Sequence, residues 1–160
     1  MNPLQTLHIT AQGEREIHYA RGFAAPRALV FDAHTKPELV RQWLGAVAGW
    51  TMSVCEVDLR VGGRYRYVWR HEARNLNMGM GGEYRAIHAP AQLVCTELFD
   101  ESWYPGGCLV TSEFHEQNGH TLLAVTLLYD SQAARDGVLA GPAMSGLQES
   151  YDALAALLAQ

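Results

Sequence analysis

From residue 15 onward the chain alternates apolar and polar positions, and changes in the period of that alternation divide it into elements. In residues 15–23 (REIHYARGF), Ile17, Tyr19 and Phe23 fall on one side and His18 and Gly22 on the other. A period of two predicts a strand. Ala25-Pro26 then opens a helix through RALVFDAH, with Pro in the first turn, where its missing N–H costs nothing, and with Leu29, Val30 and Ala33 facing inward. Thr35 reads as the cap of a second short helix, whose segment LVRQW places Leu39, Val40 and Trp43 on one face.

From Trp50 the period returns to two over six runs: WTMSVCEVDL, RYRYVWRH, MGMGGEYRAIH, QLVCTELFD, CLVTSEFHE and HTLLAVTLLYD. Turn signals punctuate them at Val61-Gly62-Gly63, Ala89-Pro90, Pro105-Gly106-Gly107 and Asn118-Gly119. No gap is wide enough for a crossover helix, so the sheet is predicted to be antiparallel. Over residues 132–159 the strand pattern disappears, and Met144, Leu147, Tyr151, Leu154 and Leu158 recur at helical spacing, which predicts one long terminal helix.

The order is therefore β-α-α-β6-α, an α+β class in which a seven-stranded curved antiparallel sheet must bury one face. The terminal helix is the only long apolar element available to cover it, the paired short helices close one end, and a cavity between sheet and helix is the natural by-product. At 160 residues one domain is expected. Residues 1–14 form an N-terminal segment ahead of the first strand, part of it expected to be disordered.

Composition narrows the function classes. A net charge of -5 with no cluster of Lys and Arg argues against a phosphate-binding surface and hence against nucleic acid as partner. The start of the chain has no basic, apolar leader, and no run is long enough to cross a bilayer, so a cytoplasmic location without membrane insertion is expected. Cys55, Cys95 and Cys108 are odd in number and widely spaced, and read as buried reduced thiols. The seven histidines form no HxH, HExxH or HxxxH motif, so no metal site is expected. No phosphate-cradling glycine loop or nucleotide fingerprint occurs, and no cofactor is implied. Gly79-Met80-Gly81-Gly82 lies inside a strand and reads as a bulge or bend that lets the sheet curl.

The run RYRYVWRH places Tyr65, Tyr67, Trp69 and His71 on one face and Arg64, Arg66 and Arg70 on the other. A one-residue slip would bury three guanidinium groups, so the aromatic face is the inner one. It is either ordinary core or the wall of a cavity. In QLVCTELFD, Leu93, Cys95, Glu97 and Phe99 share a face, which points Glu97 inward. A buried carboxylate is costly unless paired or protonated, so Glu97 is a ligand anchor, a general acid or base, or one half of a structural pair. His71, at the end of the row, is a second acid/base candidate or a solvated strand end.

Four segments together resemble a known family. They are Arg21-Gly-Phe-Ala-Ala-Pro26 with Leu29-Val30-Phe31 and Thr35-Lys-Pro-Glu-Leu39; Asp58-Leu-Arg-Val-Gly62-Gly63-Arg-Tyr65; Gly82-Glu-Tyr84-Arg-Ala-Ile87 through Leu93-Val94; and Met144-Ser-Gly146-Leu through Leu154. In this order they are similar to the activator of heat-shock-protein-90 ATPase homologues, a branch of the START-like (helix-grip, SRPBCC) superfamily. The resemblance implies a helix-grip fold and a chaperone as one kind of partner. Leu147 stands where many members of that family carry Trp.

The expected function is binding of a small hydrophobic molecule, apolar or aromatic, in the cavity. Its wall is read as Trp43, Tyr65, Tyr67, Trp69, Met80, Phe99, Leu147 and Tyr151, with Glu97 as the polar group. An acid/base enzyme of cyclase or hydrolase type using Glu97 or His71, and a co-chaperone, are the alternatives. Either a monomer or a homodimer is compatible with the sequence.

Overall fold

In the computed structural model, which describes residues 6–102 and 106–160, the alternating segments build one sheet of eight strands. These are β1 (His8–Gln12), β2 (Glu16–Phe23), β3 (Thr51–Val57), β4 (Arg64–His71), β5 (Leu76–His88), β6 (Gln92–Phe99), β7 (Cys108–Gln117) and β8 (His120–Tyr129). Helices α1 (Arg27–Thr35) and α2 (Pro37–Trp43) follow β2, and α3 (Gln132–Ala140) and α4 (Ala143–Leu158) end the chain. The spatial order is β1-β2-β8-β7-β6-β5-β4-β3, with every neighbouring pair antiparallel. A six-strand meander thus has the first two strands added beside β8.

The count is eight rather than the expected seven because residues 8–12, left ahead of the first strand by the sequence, pair with β2 from His8↔Ala20 to Gln12↔Glu16. This strand is almost wholly exposed, so backbone pairing holds it and its hydrophobic signal is weak. Two further ties fasten it. Leu7 N–H donates to Gln148 Oε1 of α4 at 3.0 Å, and the buried Arg135 guanidinium of α3 donates to the carbonyls of Gln12, Gly13 and Glu16.

Helix boundaries also moved. Pro26 is the N-cap of α1, whose buried face is Val30, Phe31 and Ala33, while Leu29 is half exposed rather than inward. Thr35 caps nothing: it is the last residue of α1, and its hydroxyl donates to the Phe31 carbonyl at 3.0 Å. Lys36 and Pro37 start α2 instead, since Pro fits the first helical position. The helical run over 132–159 is split at Gly141-Pro142, where proline cannot continue the hydrogen-bond ladder. Ser131 begins α3, its Oγ accepting from Ala134 N–H at 3.1 Å.

The sheet bends where β5 meets β6. Pairing runs through Met80↔Phe99 and Gly81↔Leu98, is interrupted at Gly82 and Glu83, and shifts register between Tyr84 and Ala86. At the interruption Glu83 N–H donates to Thr96 Oγ1, and the Tyr65 hydroxyl donates to the freed Thr96 carbonyl at 2.6 Å. A Cβ on Gly82 would collide with that carbonyl, so only glycine permits this bend. The glycine run therefore curls the sheet, with the register shift displaced to its C-terminal side. The Pro105-Gly106-Gly107 turn has Gly106 at φ 77°, while Pro105 lies outside the described residues.

Between β3 and β4, Gly62 adopts φ 84° and its N–H donates to the Tyr84 carbonyl at 2.9 Å, while a Cβ on Gly63 would strike the Asp58 carbonyl. Replacing both by alanine should lower stability by about 1 to 3 kcal/mol. A urea-denaturation midpoint unchanged from wild type would show that this turn does not depend on glycine.

Candidate functional site

The inner face carries two groups of aromatic rings. On β4, Tyr65, Tyr67 and Trp69 are buried and point inward, while Arg64, Arg66 and Arg70 are outward and partly or fully exposed, which is the register the alternation demanded. Their rings step along the strand at 5.1 Å (Tyr65–Tyr67) and 6.1 Å (Tyr67–Trp69), and Tyr84 of β5 joins them. Outside, Arg66 forms a two-pronged pair with Asp100, whose carboxyl is held below its ordinary pKa by that guanidinium. Tyr67, Met80 and Phe99 are successive cross-strand neighbours on β4, β5 and β6.

The second group gathers around α4. Tyr151 stacks on Trp43 of α2 at 5.5 Å and 22°, lies 5.9 Å from Phe23, and shares a 2.9 Å hydroxyl–hydroxyl hydrogen bond with Tyr19 of β2. His34 of α1 packs edge-on against Trp43 and Phe114. Its Nδ1 bonds the Val30 carbonyl at 2.7 Å, its Nε2 has no partner, and burial lowers its pKa to about 4. Arg21 of β2 is buried as well, paired to Asp152 of α4 at 2.7 Å. These contacts clamp α4 to β2, α1 and α2.

Glu97 lies between the two groups. It sits on β6 opposite Cys108 of β7, and its charge is felt by Tyr65 and Tyr67 on one side, by Tyr19 and Tyr151 on the other, and by Cys95 and Cys108. Among the described residues no hydrogen bond or ion pair engages its carboxyl. Burial alone lifts its pKa to about 7. Burial likewise raises all four tyrosines and pushes the Cys95 thiol up to about 12, so these groups stay neutral.

Inward-facing Cys95, Glu97, Phe99 and Val110, together with Met144 and Leu147 of α4, keep partial exposure, whereas Tyr67, Trp69, Tyr84 and Cys108 beside them are buried. The apolar side chains among them pack against the core and mark its margin between β6–β7 and the first half of α4. Two depressions of about 430 and 330 Å³ are present, the first lined by Arg64, Tyr65, Arg66, Leu98 and Asp100 among others, the second by Arg15, Glu97, Cys108, Leu109 and Asp130 among others. In the first, Arg66 and Asp100 are already paired to each other, so the surroundings of Glu97, which also lines the second, are the better candidate.

Of the residues read from sequence, Trp43, Tyr65, Tyr67, Trp69, Met80 and Tyr151 are buried in the two groups, and Glu97, Phe99 and Leu147 are partly buried at their margin. The indole N–H groups of Trp43 and Trp69 are satisfied internally, by the Ala33 carbonyl and by that of Leu44. His71 is not brought to Glu97. It packs edge-on against Trp50, and its Nδ1 accepts from Arg74 N–H at 3.2 Å. Tyr19 and Tyr84 were missed as site residues, although Tyr19 alternates with Ile17 and Tyr84 with Met80 and Gly82. His34 was missed too, its signal being the i,i+4 spacing from Val30. No group of three or more His, Cys, Asp or Glu side chains among the described residues could hold a metal, and all three cysteines are free.

A curved antiparallel sheet gripping a C-terminal helix over a lined interior defines a helix-grip protein of the START-like class. Within that class the chain belongs to the family described as activator of Hsp90 ATPase homolog 1-like protein, whose model matches residues 24–159. A crystal structure of a Rhodobacter sphaeroides protein is 31% identical over 96% of this chain and 98% of that one, with a TM-score of 0.89. A solution structure from Staphylococcus epidermidis is 24% identical over 94% and 93%, TM-score 0.80. An HSP90 activator from Plasmodium falciparum is 24% identical over 71% and 72%, TM-score 0.55. No curated protein matches the chain.

The raised pKa of Glu97 has a measurable consequence. Between its ordinary value of 4.5 and about 7 the folded chain keeps a proton that the unfolded chain has released, so this group makes stability fall as pH rises through that window. His34 acts in the opposite sense between about 4 and 6.5, where the unfolded chain binds the extra proton. The comparison of wild type with Glu97→Gln removes the histidine contribution. The variant's stability relative to wild type should increase by about 3 kcal/mol between pH ~5 and pH ~8 in urea denaturation. A difference that does not change with pH would place the carboxyl in water.

Proposed function

We propose that this protein binds a small molecule with an apolar or aromatic body in the space between the sheet and α4. The observation that carries this reading is the unpaired Glu97 carboxyl set among tyrosines beside inward side chains that remain partly exposed. A core built only for stability would fill this space or pair the acid, because an unsatisfied buried polar group costs about 1 to 3 kcal/mol. Such a lining, mostly aromatic with one or two polar groups, is the usual make-up of a ligand pocket. Trp69 and Trp43, with their N–H groups committed internally, supply rigid wall; Tyr67, Phe99 and Leu147 supply contact area.

A ligand that binds only the folded state stabilises it by about 2.7 kcal/mol at a hundredfold excess over its dissociation constant. Apolar and aromatic probes should therefore raise the melting temperature, and native mass spectrometry of the protein from its own host should show a retained small molecule. A broad panel without any shift, together with an empty native spectrum, would return the aromatic rows to ordinary core.

The family description supports a second reading, in which the chain partners heat-shock protein 90. Its check is the ATPase turnover of a heat-shock protein 90 with and without the chain: stimulation supports it, and unchanged turnover at saturating chain removes it. Among the described residues no helix is long and apolar enough to cross a membrane.

A further inference from the structure

Resting on the binding reading above, we propose that the interior ligand is an amine: an aromatic or aliphatic body whose protonated nitrogen sits on the Glu97 carboxylate, between the Tyr65–Tyr67 and Tyr19–Tyr151 groups. The argument begins with what the interior lacks. Among the described residues the cations around it are directed elsewhere, including Arg15, which lines the same depression as Glu97 and donates to the Tyr129 carbonyl at 3.4 Å. Arg64, Arg66 and Arg70 lie on the outer face, and Arg66 is held by Asp100. Arg21 is taken by Asp152, Arg135 by backbone carbonyls of the β1–β2 turn, and Arg41 by the Met52 carbonyl. None forms an ion pair with Glu97, so an anionic ligand would meet a like charge with no counter-charge to offset it.

What the interior has fits a cation. A carboxylate in apolar surroundings is stabilised by a charged donor more than by a neutral one, because charge-assisted hydrogen bonds are about twice as strong. The surrounding rings add to this. Tyr19, Tyr65, Tyr67 and Tyr151 all lie close enough to Glu97 for its charge to act on them, and aromatic faces attract ammonium groups through their quadrupoles. A carboxylate within an aromatic enclosure recognises an amine in two ways at once, and the tyrosine hydroxyls can accept the remaining N–H protons. The apolar body then extends toward the partly exposed Phe99 and Leu147. An amine also explains why Glu97 is tolerated: its desolvation cost is offset in the bound state.

The test uses three probes of one shape, 4-phenylbutylamine, 4-phenylbutanol and 4-phenylbutyrate, titrated calorimetrically into the full chain and into Glu97→Gln at pH ~8, above the range in which the carboxyl titrates. In the wild type the amine should bind about tenfold tighter than the alcohol, with the carboxylate weakest. In Glu97→Gln, which keeps shape and removes charge, the amine should fall to the affinity of the alcohol. Amine and alcohol of equal affinity in the wild type, or a carboxylate that binds best, would overturn the amine assignment while leaving a binding protein. The ranking in wild type alone decides this even if the variant does not fold. If none of the three probes binds, the amine assignment falls, and the panel and native spectrum above decide whether the binding reading falls with it.

Discussion

The structure depends on a mismatch of size between one helix and one sheet. Helix α4 has 16 residues, so it is about 24 Å long and about 10 Å wide. Eight strands spaced by about 4.8 Å make a surface about 34 Å across. One helix cannot cover that area. The sheet must curl toward it, and the interruption at Gly82–Glu83 supplies the bend, with Thr96 satisfying the freed groups through Tyr65 and its own hydroxyl. Where the helix backbone is absent, large aromatic side chains span the remaining distance.

The contacts that fasten the helix gather on one side among the described residues. Arg21–Asp152, the Trp43–Tyr151 stack and the Tyr19–Tyr151 hydrogen bond hold it to β2 and the short helices, and Gln148 receives the N-terminal segment. The side facing β6 and β7 is left with partial exposure and with the Glu97 carboxyl. The same asymmetry that fixes the helix thus produces the interior space, and the site is a consequence of the packing rather than an addition to it. Membership of the activator family fits this economy, because the matched region, residues 24–159, spans the short helices, the bend and the terminal helix.

Among the described residues, three charged side chains of the interior are each resolved differently. Arg135 is surrounded by carbonyls, Arg21 is paired to a carboxylate that itself reaches solvent, and Glu97 is left alone with its proton affinity raised. The first two stabilise connections between elements that are distant in sequence. The third stabilises nothing visible within the described residues, which is what sets it apart as a candidate for function.

The local patterns of the sequence determined the strands β2 to β8, the two short helices, the inward direction of Tyr65, Tyr67 and Trp69, and the inward direction of Glu97, because side-chain alternation is a property of the strand itself. It also carried the family resemblance. Strand β1 escaped because its residues are exposed and backbone pairing leaves little hydrophobic trace. The break at Pro142 was visible as a residue, but its effect was overridden by the helical spacing that follows it and the absence of strand alternation before it. Only the tertiary structure decided that Arg21 and Arg135 are buried, that His71 turns toward Trp50, that the Trp43 and Trp69 indoles are satisfied by backbone carbonyls, and that Glu97 has no partner among the described residues. Each of these depends on which distant element arrives opposite a given side chain. Alternation fixes the direction a residue points, and only packing fixes what it meets there.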